Sequence, residues 1–285
     1  MERDAIKALA AWQNKRNRKP LILRGARQVG KTWLMKEFGR LYFKNTVYVN
    51  FENTPELNTL FLQNLDVHRI LQTLQLYSGT IIKPAETLII FDEIQSVEKG
   101  LTSLKYFCED APEYAVIAAG SLLGMGLHSH LSFPVGKVDF MDIRPLTFYE
   151  FLNACGKSLW TEALRSGQWE QMAPFHEKLI DMLRIYLYVG GMPEAVQNYI
   201  DTKDFALVRE IQRNIIDAYQ ADFSKHAPYE IVPRIQMIWE SIPAQLAKEN
   251  KKFIYGVIRE GARAKDFELA IMWLVECGLL LKTHR

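Results

Sequence analysis

Apolar residues along this chain fall into two rhythms: short continuous runs in the first half and a helical spacing that takes over in the second. Residues 21–23, 46–51, 87–91 and 114–119 read as strands, and the uninterrupted apolar run at 87–91 has the pattern of a strand buried on both faces of a sheet. Residues 137–143 alternate apolar and polar and predict a fifth strand. Between these runs, Ala5, Ile6, Leu9, Ala10 and Trp12 share one face of a short amphipathic helix. The spacing also predicts a helix over 33–38 ending at Gly39, and helix through 56–77. Thr147 with Glu150 three positions on reads as the capped start of another helix. Beyond Gly156 the pattern is helical. Leu179, Met182, Leu183, Ile185, Tyr186 and Val189 form one face that stops at Gly190-Gly191, and Pro193 restarts a helix. Ile235, Ile238, Trp239 and Ile242 mark a later helix, Asp266 caps one over 266–277, and 279–283 read as a short strand. Strands alternating with helices, then helices alone, predict an α/β core over 1–156, a helical module over 157–228 and a third module over 229–285.

Two strand ends carry chemistry. After residues 21–24 comes Gly25-Ala26-Arg27-Gln28-Val29-Gly30-Lys31-Thr32-Trp33, a glycine-flanked loop running into a helix. Backbone N–H groups of such a loop converge on phosphate oxygens, Lys31 reaches the β- and γ-phosphates, and Thr32 offers a hydroxyl to Mg²⁺. The run at 87–91 then delivers Asp92 and Glu93, the Walker B partner that a phosphate loop requires. Asp92 would hold hydrated Mg²⁺, while Glu93 would polarise the water that attacks the γ-phosphate. Asn50 ends the second strand, where its side chain could reach a catalytic carboxylate next door. Ser121, just past the fourth strand, reads either as a sensor of the γ-phosphate or as a helix N-cap.

Composition narrows the classes. The 35 basic and 33 acidic residues leave a net charge of +2, which argues against wholesale nucleic-acid binding. The three cysteines, Cys108, Cys155 and Cys277, form no closely spaced pair, as expected of reduced thiols in a cytoplasmic protein. His128 and His130 lack a neighbouring ligand cluster and read as a loop. No continuous apolar segment near the start suggests a signal peptide or membrane span. The basic turn 15–19 precedes the first strand, at the end of the sheet opposite the phosphate loop, and reads as solvated.

Taken together, residues 24–32, 90–95 (Ile-Phe-Asp-Glu-Ile-Gln), 119–124 (Ala-Gly-Ser-Leu-Leu-Gly), 145–152, 189–194 (Val-Gly-Gly-Met-Pro-Glu) and 222–226 resemble a bacterial and archaeal AAA+-like ATPase family. Its members are similar to the signal-transduction branch. The resemblance implies a five-stranded P-loop core, a helical lid and a winged-helix module, with ATP and Mg²⁺ as ligands. It also implies that Pro193 lies against the adenine, that Asn50 is a switch restraining Glu93, and that self-association is plausible. Usual members continue into a nuclease-like domain, whereas this chain stops at Arg285, as a fragment or a short gene would. Arg144 and Arg184 are candidate arginine fingers.

Residues 248–265 hold six basic residues against Glu249 and Glu260, yet the candidate recognition helix at 267–276 offers only acidic and apolar side chains. Base readout needs Arg, Lys, Asn or Gln, so packing or protein contact is favoured over DNA. That helix is apolar nearly all round, which predicts an exposed patch near Phe267, Ile271 and Trp273 for a further domain or a second copy. Two functions follow: an ATPase that moves its lid and winged helix, or a slow nucleotide switch regulating DNA or a protein.

Overall fold

The computed structural model describes residues 1–120, 134–249 and 252–283. Five strands among them form one parallel sheet in the order β2-β3-β4-β1-β5, from β1 (Leu21–Arg24), β2 (Asn45–Asn50), β3 (Thr87–Asp92), β4 (Ala115–Ala119) and β5 (Asp139–Asp142). The order explains the apolar runs. β3 and β4 have neighbours on both sides and are buried throughout, whereas the edge strands β2 and β5 alternate in exposure. β1 sits between β4 and the edge strand β5, so its phosphate loop leaves the sheet one strand in from that edge.

The helices of this region are α1 (Ala5–Gln13), α2 (Lys31–Tyr42), α3 (Val67–Ser78), α4 (Gly100–Asp110), α5 (Phe148–Ala154), α6 (Ser158–Arg165), α7 (Trp169–Met172), α8 (His176–Val189) and α9 (Pro193–Thr202). Two expectations are corrected. Gly39 does not end α2, which continues to Tyr42; a Cβ at Gly39 would lie 2.3 Å from Thr46 Oγ1, so glycine serves the close packing of α2 on β2. Residues 56–66 form no long helix. The one-turn segment Pro55–Leu57 is followed by turns, and α3 starts only at Val67, capped by Asp66, whose side chain accepts the Arg69 N–H at 3.0 Å. The apolar spacing there reflects turns that bury Leu57, Leu60 and Phe61 against β2 and β3, with the Phe51, Phe61 and Phe91 rings about one ring apart.

The described chain divides into two compact units, Met1–Ile211 and Gln212–Arg285, and α10 (Phe205–His226) contributes residues to both. In the second unit, α11 (Val232–Leu246) and α12 (Ala264–Glu276) pack with the end of α10, and Phe223 stands edge-on to Trp239 and Trp273 at 5.4 and 5.6 Å. The wing strand expected at 279–283 is not formed. The Leu279 and Leu280 N–H groups are spent on Leu274 O, closing the end of α12. The apolar patch is also relocated: Phe267 and Trp273 are 1% and 5% exposed and Ile271 is half-buried, with Phe223, outside the 229–285 segment, packed edge-on to Trp273. Leu269 and Met272 are the exposed large apolar residues of α12.

Candidate functional site

The loop after β1 is held open by backbone geometry. Gly25, Gln28 and Gly30 have φ of 137°, 62° and 89°, so successive peptide N–H groups turn inward at the start of α2. Gly25 has a second reason to be glycine, since a Cβ there would sit 2.1 Å from Ile143 O of the adjoining β5 segment. Ala26 and Val29 are buried, Arg27 is half-buried, Gln28 is exposed, and Trp33 stands 44% exposed on the first turn of α2. Lys31 is buried, and its ammonium donates to Gly25 O and Ala26 O, both at 2.7 Å. Burial lowers its pKa to about 8; Glu93 and Asp92 oppose that shift and Arg27 adds to it.

Opposite this loop, Asp92 ends the fully buried β3. Its Oδ2 accepts Thr32 Oγ1 at 2.7 Å and the Tyr48 hydroxyl at 3.0 Å. Thus the sequence-predicted Thr32 and Asp92, far apart in the chain, are brought together with Lys31 at one sheet end. Tyr48 was not legible as a site residue: on a strand it reads as packing, and only the register of β2 beside β3 shows its reach. Burial foremost, then the charge of Asp92, pushes the Tyr48 phenol up to about 12, while the Lys36 ammonium lies 3.8 Å over its ring. Asn50 is the register partner of Asp92, and its Oδ1 accepts the Glu52 N–H at 3.0 Å. Glu93 follows with φ 51°, and its Oε2 accepts Gln95 Nε2 at 2.5 Å. β4 ends at Ala119, the register partner of Asp92. Ser121, His128 and His130 lie outside the described residues.

Two further features border the loop. A methyl group added to Gly30 would lie 3.6 Å from Pro193 Cγ and 3.7 Å from Arg3 Nη1, so the first turn of α9 and the residue before α1 both flank the loop. Arg3 is itself buried: Nη1 donates to Val29 O at 3.1 Å, Nη2 to Arg144 O at 2.6 Å, and Nε to Glu150 Oε1 at 3.0 Å. Glu150 simultaneously closes the capping box with Thr147. Of the finger candidates, Arg144 is exposed and Arg184 is paired with Asp181 on its own helix at 2.9 Å.

The AAA domain family matches residues 17–152, which contain every element of this geometry except Arg3 and Pro193. This stretch is similar to AAA domains, and the core has the α/β P-loop fold. A domain of unknown function (DUF8612) matches residues 180–285. Among solved structures, the Walker-type ATPase paby2304 of Pyrococcus abyssi superimposes with a TM-score of 0.59 at 15% identity, over 97% of this chain and 89% of that one, a likeness of fold. C. elegans PCH-2 (TM-score 0.39, 12% identity, 76% of this chain and 67% of that) and the Aeropyrum pernix ORC1 protein in complex with DNA (0.34, 13%, 96% and 81%) are more distant. A search of curated proteins returns no match. Among the described residues, no helix is long and apolar enough to cross a membrane.

The donor set fits a hydrated magnesium ion. Mg²⁺ is usually bound through one or two carboxylates with water and substrate phosphates, and one hydroxyl and one carboxylate 2.7 Å apart are what Thr32 and Asp92 supply. No cluster of three or more His, Cys, Asp or Glu side chains suited to another kind of metal site occurs among the described residues.

Proposed function

We propose that this chain hydrolyses ATP in an Mg²⁺-dependent reaction at the AAA-type site. The observation that carries the reading is the Thr32 Oγ1 to Asp92 Oδ2 contact at 2.7 Å, which joins the phosphate loop to the acidic strand end with Lys31 and Glu93 alongside. Gly25 to Trp33 cradle the phosphates, Lys31 neutralises the β- and γ-oxygens, and Thr32 and Asp92 hold Mg²⁺. When bound, Mg²⁺ supplies charge neutralisation across the β- and γ-phosphates. Glu93 takes the proton of the attacking water, and Asn50, beside Asp92 at the end of β2, is a polar partner of the γ-phosphate site. Pro193 borders the loop on the side where α9 starts, which supports a base-side contact and a link between nucleotide and the helices after 157.

One observation favours the slower, switch-like reading. Lys31 already satisfies two carbonyls of its own loop, so nucleotide must displace those bonds before the lysine can engage phosphate. Steady-state ATPase turnover with Mg²⁺, measured with and without DNA, separates the readings. Glu93→Gln should retain ATP binding and lose roughly 10²-fold or more in turnover, the scale of general-base catalysis. Wild-type turnover in that variant would overturn the assignment of Glu93. For the second unit we infer protein contact in preference to DNA, because α12 exposes Leu269 and Met272 and carries no groove-reading side chain at those positions.

A further inference from the structure

Immediately after β3 the backbone makes a single 3-10 turn, Ile94–Ser96, with Glu93 preceding it in the left-handed region at φ 51°. A non-glycine residue in that region is uncommon, and such positions concentrate where surrounding structure holds a functional side chain in place. Here the turn is held tightly. Ser96 N–H donates to Glu93 O at 2.9 Å, Gly100 N–H donates to Val97 O at 3.2 Å, and a Cβ at Gly100 would lie 2.6 Å from Ile94 O. Ile94 and Val97 are buried and anchor the turn in the core.

This geometry folds the side chain of Gln95 back onto that of Glu93, with Nε2 donating to Oε2 at 2.5 Å. The orientation of the amide follows from chemistry, since an ionised carboxylate only accepts and so must face the nitrogen. The other end of the same amide is the informative part. Gln95 Oε1 is buried and accepts no hydrogen bond among the described residues. A buried carbonyl oxygen without a donor is disfavoured, and folded proteins keep few of them. An apolar side chain of the same length would avoid that penalty, so packing alone does not account for glutamine here.

We propose that Gln95 is the positioning residue of Glu93: its amide nitrogen fixes the carboxylate at the end of β3, and the unsatisfied amide oxygen is the stability cost of keeping that donor there. The proposal rests on the reading of Glu93 as the base for ATP hydrolysis. It separates two properties that a structural role would keep together. A glutamine that merely packs would leave turnover alone or lower stability when replaced; a positioning glutamine should lower turnover while stability holds or rises.

The test uses the full chain and three variants, Gln95→Met, Glu93→Gln and the double variant, each measured for thermal midpoint, ATP affinity by calorimetric titration, kcat and KM. Methionine preserves length and shape but offers no donor. We expect Gln95→Met to melt at or above the wild-type temperature, to bind ATP with unchanged affinity and KM, and to lose about tenfold or more in kcat, the size of effect that misplacing a catalytic group produces. Because Gln95 acts through Glu93, the double variant should be no slower than Glu93→Gln alone. Wild-type kcat in Gln95→Met would overturn the proposal, as would losses that multiply in the double variant, or a fall in melting temperature accompanied by weaker ATP binding. If Gln95→Met is normal while Glu93→Gln is slow, the positioning role alone fails; if Glu93→Gln itself turns over normally, the assignment of the base fails and the positioning role with it. Should Gln95→Met not fold, Gln95→Leu carries the same comparison.

Discussion

Nucleotide affinity should fall with pH above about 8, because Lys31 must be charged to bind phosphate and its burial makes charging costly. In the free protein Lys31 is 8% exposed and its pKa stands at about 8 against an ordinary 10.5. Bound phosphate raises that value, so between about pH 8 and the bound-state pKa each ATP takes up a proton. In that window affinity should drop roughly tenfold per pH unit, about 1.4 kcal/mol each, and stay flat between pH 6.5 and 7.5. Folding stability has the opposite sign. With the folded pKa below the unfolded one, the unfolded chain holds more protons between about pH 8 and 10.5, so the penalty of burying charged Lys31 is full below pH 8 and relieved as pH rises through that window. The gap between 10.5 and about 8 corresponds to roughly 3 kcal/mol. Calorimetric titration of ATP at pH 7, 8 and 9, in buffers with different ionisation heats, reads both affinity and proton uptake. Lys31→Arg, charged throughout, should lose the pH dependence. Equal affinity at pH 7 and 9, with no buffer-dependent heat in the wild type, would refute the reasoning.

Arg3→Ala leaves the Glu150 carboxylate buried without its ion-pair partner and should cost about 3 kcal/mol or more, read as a lower urea midpoint; a loss under about 1 kcal/mol would show that the Asp4 and Thr147 N–H donors suffice. Tyr48→Phe removes one of two donors that orient Asp92 Oδ2, and should raise the Mg²⁺ concentration for half-maximal ATP turnover by about three- to tenfold, while metal-free ATP affinity is unchanged. An unchanged Mg²⁺ midpoint would mean that Thr32 alone orients the carboxylate.

The parts of the site that the sequence made legible are those whose chemistry is contiguous in the chain. The loop from Gly25 to Thr32, the Asp92-Glu93 pair and the Thr147–Glu150 capping box each fit within a few residues, and central strands announce themselves by uninterrupted apolar runs. What stayed hidden depends on distant partners. Arg3 reads as an ordinary charge before a helix until it is seen to meet Val29, Arg144 and Glu150. Gly39 reads as a helix stop because its reason for being glycine lies on β2. Trp273 reads as part of a surface patch because Phe223, whose ring meets it, belongs to α10, two helices earlier. Periodicity reports that a face is apolar, and it is silent on what covers it.

The proposed movement of the helices after the core is constrained by what the Pro145-Leu146-Thr147 turn already holds. Leu146 N–H donates to Gly191 O at 2.6 Å, Leu146 O accepts the Tyr186 hydroxyl at 2.8 Å, and a Cβ at Gly191 would lie 2.2 Å from Leu146 O. The end of α8 and the start of α9 are therefore fastened to this turn by two hydrogen bonds and a contact that admits only glycine. The same stretch is fastened to the phosphate loop, because Arg3 holds Arg144 O, the Glu150 carboxylate and Val29 O together. Sliding α8 and α9 past the turn would expose buried Leu146 and Val189 and break these bonds at once. If nucleotide moves the helices, the turn, Gly191 and the first residues of α9 must move as one piece with them. The displacement would then be absorbed where the chain is less constrained, and Pro193, seated beside Gly30, would follow the phosphate loop instead of swinging away from it.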